Sequence, residues 1–125
     1  MTALLVALGG ALGTLLRYTA NVACAERFTD GFPYATFAVN ALGSFALGVL
    51  SSSVSTRSLW GVPLGLIVGT GVLGGFTTYS SFNLETVRML LQGQIARAAF
   101  YVGLTVVTCL LLGLAGVALG ARLTR

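Results

Sequence analysis

Histidine and lysine are absent from this chain of 125 residues, and charged residues of every kind make up only 8% of it. A soluble domain carries roughly 25% charged residues. That is too little charge to coat a water-exposed surface. A chain that is 56% hydrophobic reads instead as an integral membrane protein. Only three acids occur, Glu26, Asp30 and Glu85. They lie at loops or span ends, and no base stands beside the hydroxyls, so no catalytic set is visible and an enzyme is not expected. The two cysteines, Cys24 and Cys109, sit singly at or inside apolar runs. Without histidine or a cysteine cluster, neither a zinc site nor a disulfide framework is indicated. The net charge of +4 comes from scattered arginines, mostly at span ends, which is not a nucleic-acid patch. No positive charge precedes the first apolar run, so a cleaved signal peptide is not expected either.

A bilayer-crossing helix needs about 20 apolar residues. Four spans are expected, at about 3–25, 33–53, 59–91 and 98–119, forming a single transmembrane domain over residues 1–125. The third run is roughly half as long again as a span requires. Its middle reads Gly69-Thr-Gly-Val-Leu-Gly-Gly-Phe-Thr-Thr-Tyr-Ser-Ser-Phe82. An uninterrupted lipid-facing helix has little use for such a stretch. A helix broken at mid-membrane near 74–78 explains it better, since broken backbone persists at that depth only where protein or a polar cavity satisfies it. Broken helices place their half-helix ends at ion sites. Residues 74–78 therefore read as an ion-handling break, with a Gly/Ser/Thr packing surface as the alternative.

The polar residues inside the spans are few and patterned. Gly9 and Gly13 offer a close-packing face on the first span. Arg17 lies well inside it, where an arginine costs about 2.5–3.5 kcal/mol unless it faces a cavity or partner or snorkels to the interface. Thr36, Asn40 and Ser44 follow at i, i+4, i+8 and line one helical face. They suit either a wet pathway or an interhelical hydrogen bond through Asn40. Pro63 suits the first turn of the third span. Gly61, Gly65 and Gly69 form a second small-residue face. On the fourth span Tyr101, Thr105 and Cys109 again recur at i+4. Hydroxyl and amide donors without a ring of acids suit a small anion. Tyr79 and Phe82, at i and i+3, add two rings whose positive edges can meet an anion weakly, with plain packing as the alternative.

With four spans, Arg57, Arg122 and Arg125 flank one side and Arg27, Arg88 and Arg97 the other. This balance selects no orientation under the positive-inside rule. Copies of opposite orientation can then pair about a two-fold axis in the membrane plane, building from two chains what larger transporters build from inverted repeats.

Gly9-Gly-Ala-Leu-Gly-Thr-Leu-Leu-Arg17-Tyr18, Thr36-Phe-Ala-Val-Asn40 and Gly74-Gly-Phe-Thr-Thr-Tyr-Ser-Ser-Phe82 together resemble the CrcB/Fluc fluoride channel family over nearly the whole chain. The resemblance implies an all-α membrane protein of four transmembrane helices, the third broken at mid-membrane, assembled as an antiparallel, dual-topology homodimer with two F⁻ pores. It implies a structural Na⁺ at the dimer centre, held by backbone carbonyls that would here be those of Gly74 and Thr77. The family's paired phenylalanines fall on Tyr79 and Phe82, its pore amide on Asn40 and its vestibule arginine on Arg17. Its hydroxyl track would use Thr36, Ser80, Ser81, Tyr101 and Thr105. Tyr79 stands where the family usually has phenylalanine, and Cys109 where the track usually has a small hydroxyl. The implied function is passive fluoride export across the bacterial plasma membrane, protecting the cell from accumulated F⁻. Two other classes compete. A small dimeric multidrug exporter would need an intramembrane carboxylate in the first span, which has none. A non-transporting scaffold would pass no ions in liposomes.

Overall fold

The computed structural model describes residues 1–53 and 58–124. Arg57 and Arg125, two of the arginines in the loop balance, lie outside the described residues. The order of elements is α1 (Thr2–Arg27), α2 (Tyr34–Ser53), β1 (Ser58–Leu59), β2 (Val62–Pro63), a π-helical segment (Leu66–Leu73), α3 (Gly74–Phe76), α4 (Tyr79–Leu91) and α5 (Ile95–Leu123). Among the described residues, three helices are long and apolar enough to cross a membrane: Thr2–Arg27, Tyr34–Ser52 and Ile95–Leu123. The remaining expected span, the third, is the broken one. Its two pieces, with the break between Phe76 and Tyr79, replace a single long helix.

Small residues decide how these helices meet. One face of α1 carries Leu5, Gly9 and Gly13, all buried, while Leu4, Leu8, Leu12 and Leu15 are exposed on the remainder, as lipid-facing positions would be. A Cβ on Gly9 would stand 2.8 Å from the Ile67 carbonyl oxygen, and one on Gly71 2.9 Å from that of Val6. A Cβ on Gly13 would overlap the Val72 carbonyl oxygen, and one on Gly75 that of Gly10. Both partners are therefore stripped to glycine, and backbone packs on backbone. The same device joins α2 to α5. A Cβ on Gly48 would overlap the Gly113 carbonyl oxygen, and one on Gly116 that of Phe45.

The third span begins later than residue 59. Leu59 pairs with Val62 and Ser58 with Pro63 in a short antiparallel hairpin. Its turn residues Trp60 and Gly61 have φ of 50° and 79°, the doubly positive pattern that two-residue hairpins favour. Helical winding starts at Leu64, so Pro63 closes a strand rather than opening a helix. Among the described residues, the expected Gly61/Gly65/Gly69 face makes no close backbone contact. A Cβ on Gly61 or Gly65 would meet nothing within 4 Å, and one on Gly69 only leucine side chains. The wider winding of Leu66–Leu73, bonded i to i+5, moves the small face to Gly71 and Gly75. The other ends differ from the expected spans in the ordinary way. The terminal turns of α1 and α5 continue past the apolar runs into Arg27 and Leu123. At the far end of α4, Gly93 (φ 74°) lets the Gln94 N–H return to the Met89 carbonyl at 2.9 Å and the Gly93 N–H to Leu90 at 3.0 Å, a left-handed helix stop.

The α1–α2 loop is held by one acid. Asp30 Oδ1 accepts the Phe32 N–H at 3.1 Å and Oδ2 the Tyr34 hydroxyl at 2.9 Å, while Arg97 Nη2 donates to the Asp30 backbone carbonyl at 2.7 Å. The Phe32 N–H first, then the Tyr34 hydroxyl and the nearby Arg97 charge, hold the Asp30 carboxyl below the usual carboxylate range. A depressed carboxyl contributes stability above its unfolded pKa of about 3.9 and loses it as pH falls through the lower folded value. Melting of the detergent-solubilised protein should therefore fall modestly on acidification from about pH 5, and Asp30→Asn should remove that part of the slope.

Candidate functional site

Thr77 (φ −79°, ψ 157°) and Thr78 (φ −152°, ψ 111°) are extended. The break is therefore narrower than residues 74–78, since Gly74–Phe76 is still helical. The Thr77 N–H and hydroxyl both donate to the Leu73 carbonyl at 3.0 Å. Thr78 is held from α2. Its N–H donates to Asn40 Oδ1 at 2.8 Å, and Asn40 Nδ2 donates to its carbonyl at 3.0 Å. The Thr78 hydroxyl caps α4 by accepting the Ser81 N–H at 3.2 Å, donates to Ser81 Oγ at 3.0 Å and lies 3.3 Å from Ser80 Oγ.

These diversions have a specific result. In a continuous α-helix the Thr78 N–H would bond the Gly74 carbonyl, and the Ser81 N–H the Thr77 carbonyl. One donor goes to Asn40 and the other to the Thr78 hydroxyl. The carbonyls without an i+4 partner across the break include those of Gly74, which is exposed, and Thr77, which is half-buried, together with those of Gly75 and Phe76. Neutral backbone oxygens of unwound helices suit a hard monovalent cation such as Na⁺. Among the described residues no His/Cys/Asp/Glu group is placed to hold a metal.

A second polar group lies further along α4. Glu85, on the inner face, accepts the Thr36 hydroxyl at 2.7 Å and the Tyr101 hydroxyl at 2.8 Å. Tyr101 is fully buried, and one turn on the Thr105 hydroxyl is buried without a partner among the described residues. Glu85 reads from sequence as a span-end acid, yet its fold position is at the meeting of α2, α4 and α5. The signal was its i+3 spacing from Phe82. Removing one donor to this carboxylate loses a charged hydrogen bond, roughly 1.5–3 kcal/mol. Tyr101→Phe should lower the unfolding free energy by that order, read from detergent melting. Thr36→Val combined with it should be non-additive, because both donors serve one carboxylate.

Rings connect the two groups. Tyr79 lies 5.9 Å from Phe82 between centroids, Phe82 5.1 Å from Tyr101, and Tyr101 5.4 Å edge-on from Phe32. Tyr101 belongs to the buried cluster with Met89 and Ala98, and the half-buried Phe82 packs against it. Tyr79 is 77% exposed. It flanks an open cavity of about 370 Å³ that Asn40, Ser44, Phe82, Thr105 and Cys109 also border. A second cavity of about 420 Å³ lies at the α4–α5 turn between Arg88, Arg97 and Glu85. Of the residues expected at a site, the fold brings Asn40, Thr77, Tyr79, Phe82 and Thr105 to the first cavity, and Gly74 borders it too. Ser80 and Ser81 bond Thr78, which Asn40 holds, whereas Thr36 and Tyr101 gather at Glu85, which borders the second cavity and not the first. Arg17 is apart. It continues the Leu5–Gly9–Gly13 row by one turn and is half-buried, without a hydrogen bond or ion pair among the described residues. Thr78 was the other omission from the sequence reading. Its neighbours Thr77 and Ser81 share its polarity, so nothing in the sequence marked it as the one that Asn40 grips.

The arrangement has no nucleophile–base pair. It offers neutral hydroxyl and amide donors around an open cavity. One N–H of the Asn40 amide is committed to Thr78 and the amide carries two.

Comparison with known proteins gives one family. The model of the CrcB-like protein family, described as Camphor Resistance (CrcB), matches residues 4–117. The chain is 46% identical over 118 residues to a fluoride-specific ion channel FluC of Sorangium cellulosum, covering 94% of this chain and 93% of that protein. It is 40% identical over 124 residues to fluoride-specific ion channel FluC 2 of Nitrobacter hamburgensis, covering 99% and 100%. It is 41% identical over 119 residues to a fluoride-specific ion channel FluC of Agrobacterium fabrum, covering 95% of each.

Proposed function

This chain belongs to the CrcB-like family, and on that premise we propose that it is a fluoride-selective channel that lets F⁻ leave the cell passively. It is a multi-pass membrane protein of a family of channels rather than enzymes. The observation that carries the reading is the set of neutral polar residues bordering one cavity, Asn40, Ser44, Thr77, Tyr79 and Thr105, of which Asn40 keeps a second N–H and the buried Thr105 hydroxyl has no partner among the described residues. A dehydrated small anion needs such donors to offset its lost water, and selectivity over Cl⁻ would come from pore width together with those donors. The names of the relatives support the same ion.

The path runs past Asn40 and the Tyr79 and Phe82 ring edges to the hydroxyls of Thr36, Tyr101 and Thr105, with Ser80 and Ser81 at the break and Arg17 in the vestibule. Its mouth beside Arg88 and Arg97 would concentrate anions. Four spans and an antiparallel pair of chains complete it, one copy covering the exposed Tyr79 of the other. Na⁺ would take the Gly74 and Thr77 carbonyls of both copies and hold the two breaks together. The bacterial plasma membrane is the expected location. A multidrug exporter is disfavoured, because the first span, residues 3–25, has no carboxylate.

Expression in cells that lack a fluoride exporter tests the function. Growth in fluoride should be restored, most clearly in acidic medium, where HF carries more fluoride inward. Unchanged sensitivity, with the chain present in the membrane, would contradict it.

A further inference from the structure

The α1–α2 loop and the α4–α5 turn meet at one end of the helices, and the cavity of about 420 Å³ opens between them. Its lining is mainly polar and carries two charges of each sign, Arg88 and Arg97 with Asp30 and Glu85. Among the described residues neither guanidinium is ion-paired with a carboxylate. The Arg88 guanidinium has no hydrogen-bond partner there, and Arg97 commits only Nη2, to the Asp30 backbone carbonyl at 2.7 Å. Asp30 accepts from the Phe32 N–H and the Tyr34 hydroxyl, and Glu85 from the Thr36 and Tyr101 hydroxyls. A carboxylate has about four acceptor sites and a guanidinium about five N–H donors. The cavity therefore holds unused donors and unused acceptors at once. A simple anion would meet the acids, and a simple cation the guanidiniums. A ligand that bears both signs suits both sets.

The surroundings put this cavity at the level of lipid headgroups. Leu84, Arg88 and Leu91 recur at i, i+4, i+7 and share one face of α4. Leu84 is 49% exposed, Leu91 83%, and Ile95 beyond the turn 68%. Large apolar side chains left open at a span end face acyl chains, and a basic side chain among them reaches the phosphate layer.

We propose that this cavity binds the headgroup of a membrane lipid that carries both a phosphate and a primary ammonium, as phosphatidylethanolamine does. The phosphate lies between Arg88 and Arg97, whose planar guanidiniums match its oxygens. The ammonium donates to Asp30 and Glu85, and the acyl chains follow Leu84 and Leu91 along α4. The quaternary ammonium of choline has the same charge but no N–H to donate, so hydrogen bonding tells the two headgroups apart. The bound headgroup is net neutral and adds no charge beside the arginines, and the proposal holds whichever ion the chain passes.

The probe is phosphatidylethanolamine, compared with phosphatidylcholine and phosphatidylglycerol of the same acyl chains. Each is titrated into the full chain in neutral detergent, and binding is read by native mass spectrometry. Phosphatidylethanolamine should bind about tenfold or more tighter than phosphatidylcholine, the worth of a charged hydrogen bond. Phosphatidylglycerol, with a phosphate and no ammonium, should also bind more weakly. Arg88→Gln loses no hydrogen bond within the protein, so it should fold, and it should weaken phosphatidylethanolamine about tenfold. Asp30→Asn combined with Glu85→Gln should bring phosphatidylethanolamine to the level of phosphatidylcholine. Equal binding of those two lipids by the unaltered chain would overturn the proposal. So would phosphatidylglycerol binding as tightly as phosphatidylethanolamine, Arg88→Gln binding like the unaltered chain, or an undiminished preference in a folded double variant. If the double variant does not fold, the lipid comparison and Arg88→Gln still decide. Glycerophosphoethanolamine, the same headgroup without acyl chains, should bind more weakly than the lipid, and equal affinity would overturn the assignment to a lipid.

Discussion

Asn40→Asp is expected to abolish fluoride efflux while leaving the protein in the membrane. Two losses coincide. The Thr78 carbonyl loses the donor 3.0 Å away on Asn40 Nδ2, and a negative charge enters the anion path. Two like unit charges about 4 Å apart repel by roughly 4 kcal/mol at an effective dielectric of about 20. At about 1.4 kcal/mol per factor of ten, a barrier of that size slows passage roughly a hundredfold or more. Asn40→Leu separates the contributions. It removes the charge effect but leaves the Thr78 N–H and carbonyl without their partner, each worth about 1–3 kcal/mol when buried, so its main expected effect is on the melting temperature. Efflux from purified Asn40→Asp protein at the wild-type rate would remove Asn40 from the path.

Gly13→Leu is the structural counterpart. The added Cβ overlaps the Val72 carbonyl oxygen and stands 2.8 Å from the Phe76 backbone nitrogen. Neither is a side chain that can rotate away, so α1 must part from the broken helix. Overpacking a tight site costs typically 1–3 kcal/mol, more where backbone must move. A loss of that order in detergent melting, or failure to recover folded protein, is the expected result. Gly10→Ala is the control. Its Cβ would sit 3.8 Å from the Gly71 carbonyl oxygen, ordinary contact, and it should be nearly silent. A Gly13→Leu protein as stable as Gly10→Ala would show that α1 does not pack at this register.

Those two residues also mark how far sequence reasoning reaches. Gly9 and Gly13 were legible as a packing face because small residues four apart on a membrane helix have few other uses. The row Thr36, Asn40, Ser44 was legible because periodicity puts all three on one face. The fold uses that face against α4, α5 and the break. The break itself was legible from a run too long and too polar for one span. Its location at Thr77–Thr78 was not, because it depends on Asn40, 38 residues away, taking the Thr78 N–H. The hairpin at residues 58–63 was hidden by Leu59, Val62 and Pro63, which extend the apolar run without helical winding. The π winding was equally hidden, since i+5 bonding leaves no compositional mark, and it moved the close-packing glycines to Gly71 and Gly75. Glu85 was underestimated because distance from a span end was judged along the sequence. Its partners Thr36 and Tyr101 come from other helices, which only the tertiary fold supplies.

The most direct measurement is F⁻ efflux from proteoliposomes that contain only this purified chain, with fluoride and chloride electrodes read in parallel. Rapid F⁻ release with no Cl⁻ release is expected. Release of both ions, or no F⁻ release from folded protein, would contradict a self-sufficient fluoride-selective channel.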